Sequence, residues 1–175
     1  MKILLDNGHG IETEGKRSPI SNLFEWEFNR DIVSRVKELL SKNNVDCEIL
    51  VPEIEDISLS ERCKRANTYN DALLISIHAN AGNGTGFEVY RFPGSLDGFT
   101  IALNINLTLE KELVGFRSRG VKEKKFYILR HTKHPAVLVE CLFMDQKKDC
   151  DFMCSTEGRN RIAKAIAQGI INCVK

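Results

Sequence analysis

The strongest constraint in the chain is a pattern that occurs three times: a short apolar run that stops at an ionisable residue. Ile3-Leu4-Leu5-Asp6 leads into Asn7-Gly8-His9-Gly10, Ala72-Leu73-Leu74-Ile75-Ser76-Ile77 into His78, and Pro135-Ala136-Val137-Leu138-Val139 into Glu140. Nearly continuous apolar runs of this length predict strands of a sheet covered on both faces. In open α/β sheets the cleft lies outside the carboxyl ends of the strands. His9, His78 and Glu140, far apart in sequence, are therefore directed to one edge.

Between these runs the apolar period becomes helical. From Phe24, the residues Phe28, Ile32, Val36 and Leu40 recur every four positions and predict an amphipathic helix with Glu25 in its first turn. Asn22 is the expected N-cap, with Glu25 three residues on, and Asn43-Asn44 closes the helix before a second strand over Cys47 to Val51. Ser58-Leu59-Ser60-Glu61 has the form of a capping box and predicts a short helix ending near Asn70, with Arg62, Arg65 and Asn67 on its polar faces. Gly86 to Tyr90 alternates like a strand, and Ile101, Ile105 and Leu109 mark another helix. Phe126 to Leu129 is a weaker strand candidate, a short helical segment begins near Asp145, and Ile162, Ile166, Ile170 and Val174 mark the last helix. Strands alternating with helices predict an α/β fold: a three-layer sandwich with a mostly parallel, twisted central sheet of about six strands and helices on both faces. With 175 residues and no repeat, low-complexity tract or linker, one domain over residues 1–175 is expected.

Composition narrows the function classes. The 25 basic and 24 acidic residues nearly cancel, which gives no electrostatic footprint for nucleic acid or an anionic membrane. No apolar stretch approaches the roughly 18 residues of a membrane span, and the N-terminus lacks the apolar region of a signal peptide. The chain is expected to be made as a soluble cytoplasmic protein. Its six cysteines form no Cys-x-x-Cys pair and read as free thiols. Cys150 and Cys154, four apart, lack partners at the spacing of a thiolate zinc site.

The chemistry rests on the strand-end residues. Two imidazoles and one carboxylate make a ligand set that zinc uses in hydrolytic sites, with a fourth position left for water or substrate; the same set also suits iron in oxygenases. Singly, each residue has a plainer reading, since a strand-end histidine is more often a hydrogen-bonded structural residue and Glu25 could serve the helix dipole. Glu140 is the most telling, because a carboxylate directly after Val137-Leu138-Val139 risks burial without a local cation. His131 and His134 read as solvated loop histidines.

Taken in order, Leu5-Asp6-Asn7-Gly8-His9-Gly10, Glu25 with Asn29, Ser76-Ile77-His78-Ala79-Asn80, Gly86-Phe87-Glu88-Val89-Tyr90 and Pro135 to Glu140 resemble the type 3 N-acetylmuramoyl-L-alanine amidases. This family includes bacterial autolysins and catalytic domains of phage endolysins. The resemblance implies that His9, Glu25 and His78 bind one zinc ion and that Glu140 is the catalytic glutamate, taking a proton from water and passing it to the departing alanine amine. Glu27 is the rival to Glu25 as ligand; two residues apart on a helix, they point in different directions. Asn80 is implied at the cleft, and Tyr127 and Arg130 near the substrate, where Arg130 would meet a peptide carboxylate. The chain departs from the family pattern at Asn7 and Ile11 in the first motif and at Cys141-Leu142 after Glu140, and a family arginine is missing before Asp56-Ile57-Ser58-Leu59.

The implied substrate is bacterial peptidoglycan, cut between N-acetylmuramic acid and L-alanine. Some members carry an inserted helix that plugs the zinc site; the segment from Tyr90 to Thr100 is too short for one, so no activator protein is expected. No separate wall-binding domain is expected, and the lack of a signal peptide favours a phage lysis enzyme over an exported autolysin. The competing readings are another zinc amide hydrolase, such as a peptidase or deacetylase, and a catalytically silent wall-binding module.

Overall fold

In a computed structural model that describes residues 1–174, the first apolar run becomes β1 (Lys2–Asn7), which lies between two parallel neighbours, β2 (Cys47–Ile49) and β3 (Ala72–Asn80). The third run, β6 (Ala136–Phe143), pairs in parallel with β3. On its far side β4 (Phe87–Arg91) runs antiparallel to it, and β5 (Ser118–Glu123) joins β4 in parallel at the edge. The order is β2-β1-β3-β6-β4-β5. From β1 the chain moves outward to β2 and returns to β3 on the opposite side, which makes the space beyond β1 and β3 a topological switch point.

Successive strand residues feed opposite faces. Ile3, Leu5, Leu73, Ile75, Val137 and Val139 pack under α1 (Glu25–Lys42), α3 (Leu96–Glu112) and α6 (Thr156–Val174), whose contributions are the predicted stripes: Phe28, Ile32, Val36 and Leu40; Ile101, Ile105 and Leu109; Ile162, Ile166 and Ile170. Leu4, Leu74 and Leu138 face the other way, against Cys63 and Ala66 of α2 (Leu59–Ala66) and Ile128 and Leu129 of α4 (Tyr127–His131). The result is the expected three-layer α/β sandwich, completed by the short α5 (Lys147–Cys154). Among the described residues no helix is long and apolar enough to cross a membrane.

Local expectations differ in several places, among them the strand ends, since β3 runs past His78 to Asn80 and β6 past Glu140 to Phe143. Phe126 to Leu129 is not a strand: Ile128 and Leu129 pack from one turn of α4, and the sixth strand is β5 instead. β5 escaped notice because it is a partly exposed edge strand whose only aliphatic side chain is Val121. The N-cap of α1 is Phe24 rather than Asn22, since the Glu25 amide is taken up by the Lys16 carbonyl across a bridge between Arg17 and Phe24. Ser58 does cap α2 by accepting from the Glu61 amide at 3.2 Å, but α2 ends at Ala66, and β2 ends at Ile49.

A further difference is Arg62, which is not on a polar face but has the largest fully buried side chain of the described residues. Its Nη1 donates to Asp6 Oδ1 and the Asn7 carbonyl, both at 2.7 Å, and its Nε to the Ile57 carbonyl at 2.7 Å. Nη2 reaches the His9 carbonyl at 3.4 Å and Asp56 Oδ1 at 3.3 Å. Asp6 also accepts from Ser76 Oγ at 2.6 Å, so α2, β1 and β3 are joined just where the chain leaves β1. Removing one partner of a buried ion pair costs about 3–5 kcal/mol, because the other charge stays buried and uncompensated. Arg62→Met is expected to lose stability of this order in urea unfolding; a loss below about 1 kcal/mol would contradict the assigned role.

Candidate active site

His9 leaves β1 with φ 65°, a left-handed conformation uncommon outside glycine, and its neighbours are glycines because there is no room for more. A Cβ on Gly8 would lie 2.1 Å from His78 Cε1, and one on Gly10 would lie 2.3 Å from the Asp56 backbone nitrogen. The turn is pinned by the Gly8 amide donating to the Ile77 carbonyl at 3.1 Å and by buried Asn29 of α1, whose Nδ2 donates to the Gly8 carbonyl at 2.9 Å.

Glu25, the first residue of α1, points into the same space and is only 2% exposed. Its Oε1 lies 3.1 Å from His78 Nδ1 and 3.4 Å from His9 Nε2, and accepts from the Ala79 amide at 3.2 Å. One donor atom from each of His9, Glu25 and His78 falls within 4.8 Å of the others. Two donors at zinc bonding distances of about 2.1 Å and a tetrahedral angle stand roughly 3.4 Å apart, so this nitrogen, nitrogen, oxygen set fits zinc in donor type, and the two separations from Glu25 Oε1, 3.1 and 3.4 Å, fit in spacing. Burial works against the Glu25 charge, but hydrogen bonds from His78 and His9 outweigh it and hold the carboxyl well below its usual range. Glu27 is directed away, paired with Arg159 at 3.2 Å.

Glu140 stands directly across from His78 in the β3–β6 register. It lines a cavity of about 250 Å³ together with Lys16, Glu25, His78 and Asn80, and its Oε2 is buried without a hydrogen-bond partner. Burial lifts its pKa to about 7; His78 opposes the rise, while Glu25 and Glu88 add to it. On the other flank of His78 a second hollow of about 270 Å³ is lined by His9, Thr13, Asp56 and Arg62.

Asn80 reaches this region with a further partner, since its Nδ2 donates to Glu88 Oε1 at 2.7 Å. Tyr127 and Arg130 lie on α4, line neither hollow, and Tyr127 stacks on His131 at 4.1 Å between centroids. His134 bonds the Ala66 carbonyl at 3.2 Å. The six cysteines are free thiols. Sequence reasoning missed Glu88, Arg62 and Lys16. Glu88 did leave a signal: it is a lone carboxylate between the apolar Phe87 and Val89, and in the structure it is buried on the face it shares with the partly buried Tyr90.

Two imidazoles and two carboxylates gathered at the carboxyl edge of an α/β sandwich, over a small polar cavity, are the makings of a hydrolytic enzyme. The family profile described as N-acetylmuramoyl-L-alanine amidase matches residues 3–172, and the chain belongs to that family. It is 32% identical over 172 residues to the N-acetylmuramoyl-L-alanine amidase CwlM of Bacillus licheniformis, an overlap that takes in 97% of this chain and 67% of that one. It is 29% identical to the endolysin of Bacillus phage SPP1, over 96% of this chain and 64% of the endolysin. The crystal structure of an N-acetylmuramoyl-L-alanine amidase from Clostridium difficile 630 is similar with a TM-score of 0.91 at 29% identity, over 98% of this chain and 95% of that one.

The electrostatics beside the site can be tested by acid. Burial pushes the Glu88 carboxyl up, but bonds from Lys122, Arg119 and Tyr90 outweigh it and bring its pKa down from 4.5 to about 2. A depressed folded-state pKa means that the carboxylate contributes fully above the unfolded value and loses its contribution as the pH falls through the folded one. Wild type should therefore exceed Glu88→Gln in urea stability by a constant margin above about pH 5, and that margin should shrink between about 4.5 and 2. A margin independent of pH across this window would contradict the pairing.

Proposed function

We propose that this chain hydrolyses the amide bond between N-acetylmuramic acid and L-alanine in bacterial peptidoglycan, using one zinc ion held by His9, Glu25 and His78. The observation that carries the reading is the meeting of the three close donors with Glu140, a buried carboxyl beside them whose Oε2 has no partner. Bound there, zinc supplies a Lewis acid that polarises the scissile carbonyl and acidifies water.

The protein's own groups do the rest. Glu25 brings a full negative charge between two imidazoles through Oε1, while the half-exposed Lys16 reaches its Oε2 at 3.7 Å, so Oε1 is the oxygen turned toward the metal position. The bond from Asn29 to Gly8 and the close packing of Gly8 on His78 keep the two imidazoles in place. Glu140 handles the proton: as a carboxylate it takes one from the attacking water at Oε2, and as a carboxylic acid it delivers one to the departing alanine nitrogen. A pKa of about 7 suits both halves, since neither protonation state is costly to reach near neutral pH. The β4–α3 connection is only residues 92–95, which supports a cleft that works without an activator protein. Membership in a family with cell-wall amidases and an endolysin among the relatives supports the wall as the place of action.

Digestion of purified peptidoglycan is expected to release new alanine N-termini without new reducing sugars, and chelation should abolish the release until zinc is restored. Glu140→Gln keeps the shape but cannot accept the proton, so turnover should fall about 10²–10⁴-fold while zinc content stays at wild-type level. Activity within tenfold of wild type would remove Glu140 from its role. A different new terminus would move the chain to the peptidases or deacetylases.

A further inference from the structure

The polar row that includes the site does not stop at Glu140. Directly paired residues on neighbouring strands present their side chains to the same face. His78 pairs with Glu140, Glu140 pairs with Glu88, and Glu88 bonds Arg119 and Lys122 of β5, so one row crosses four strands from the imidazole to the sheet edge. Glu88 is 2% exposed, and a carboxylate so placed needs a cation. One would suffice, yet two are held: Oε2 accepts from Arg119 Nε at 2.7 Å and from Lys122 Nζ, while Oε1 takes Asn80 Nδ2 and the Tyr90 hydroxyl.

The group therefore carries an excess positive charge with donors to spare. Arg119 spends only Nε; its terminal nitrogens have no acceptor among the described residues, and the side chain is 26% exposed. Its guanidinium lies over the Phe143 ring at 5.1 Å, which orients the plane. Lys122 is similarly open. Lysines on an edge strand commonly serve to discourage sheet extension, but that duty calls for side chains free in solvent rather than two cations tied to a buried carboxylate. Two strand spacings of about 4.8 Å place the pair roughly 10 Å from Glu140, which is about three residues of extended peptide.

We propose that Arg119 and Lys122 form a subsite for a carboxylate carried by the peptide within about three residues of the scissile amide, and that Glu88 positions both cations. A planar guanidinium with free terminal N–H groups beside an ammonium is suited to a carboxylate and cannot bind the corresponding amide with the same charge-assisted bonds. This inference rests on the amidase reading and adds to it a preference between substrate forms.

The test uses two soluble muramoyl-peptides that differ only in whether the carboxylate nearest the scissile amide is free or amidated. Wild type is expected to favour the free form about tenfold or more in kcat/KM, chiefly through KM. Arg119→Gln, which leaves Lys122 to neutralise Glu88, should bring the ratio close to one, and the Arg119→Met, Lys122→Met double variant should abolish it. Lys37→Met, a cation change on α1, should keep the wild-type ratio. Equal cleavage of both forms by wild type, or a ratio that survives Arg119→Gln, would overturn the subsite and leave the amidase reading standing. Cleavage of neither form would overturn that reading and the subsite with it.

Discussion

A charge taken out of water needs an opposite charge or hydrogen bonds to receive it, and the carboxyl edge of the sheet is organised largely by that requirement. Arg62 is received by Asp6, Asp56 and three backbone carbonyls, Glu25 by two imidazoles and an amide, and Glu88 by two cations, an asparagine and a tyrosine. Each arrangement ties together segments that are distant in sequence. Glu140 differs from these three, since its buried Oε2 has no hydrogen-bond partner among the described residues. Unsatisfied buried groups are rare enough in native proteins to need a reason, and a carboxyl beside His78 whose pKa is raised to about 7 has a chemical one.

Much of the fold was legible because the central strands are buried on both faces. Each of β1, β3 and β6 contains an apolar run of three or more residues, which makes the run visible without knowledge of any neighbour. The long helices were legible for a related reason, as each presents one stripe to the same core. β5 was not, because an edge strand with one face toward solvent needs few apolar residues, and a partly exposed Ser-Arg-Gly-Val-Lys-Glu carries no pattern of its own. Phe126 to Leu129 failed for the opposite reason: two adjacent apolar residues satisfy a single helical turn as readily as a strand.

Within the site, residues that directly follow apolar runs could be read, although β3 continues past His78 to Asn80 and β6 past Glu140 to Phe143, and residues defined by tertiary partners could not. His9, His78 and Glu140 are marked by their position after apolar runs, so they meet whenever the sheet forms. Glu25 and Glu27 differ only in the direction each takes around a helix, and what separates them is tertiary: one meets two imidazoles, the other Arg159. Arg62 read as a surface residue because the acceptors that make its burial tolerable, chiefly Asp6 and the Asn7 carbonyl, become its neighbours only after β1 and α2 have packed.

The reversed direction of β4 explains why the edge of the sheet takes part in the site at all. A strand parallel to β6 would bring its last residues to the carboxyl edge; running antiparallel, β4 brings its beginning there, so Glu88 stands opposite Glu140. β5 is parallel to β4 and follows the same rule, which brings Arg119 from its start to Glu88 and leaves Glu123 at its end to pair with Arg91 at 2.5 Å. Along β5 the two cations Arg119 and Lys122 thus extend the polar row from His78 through Glu88, while the anion Glu123 is neutralised by Arg91.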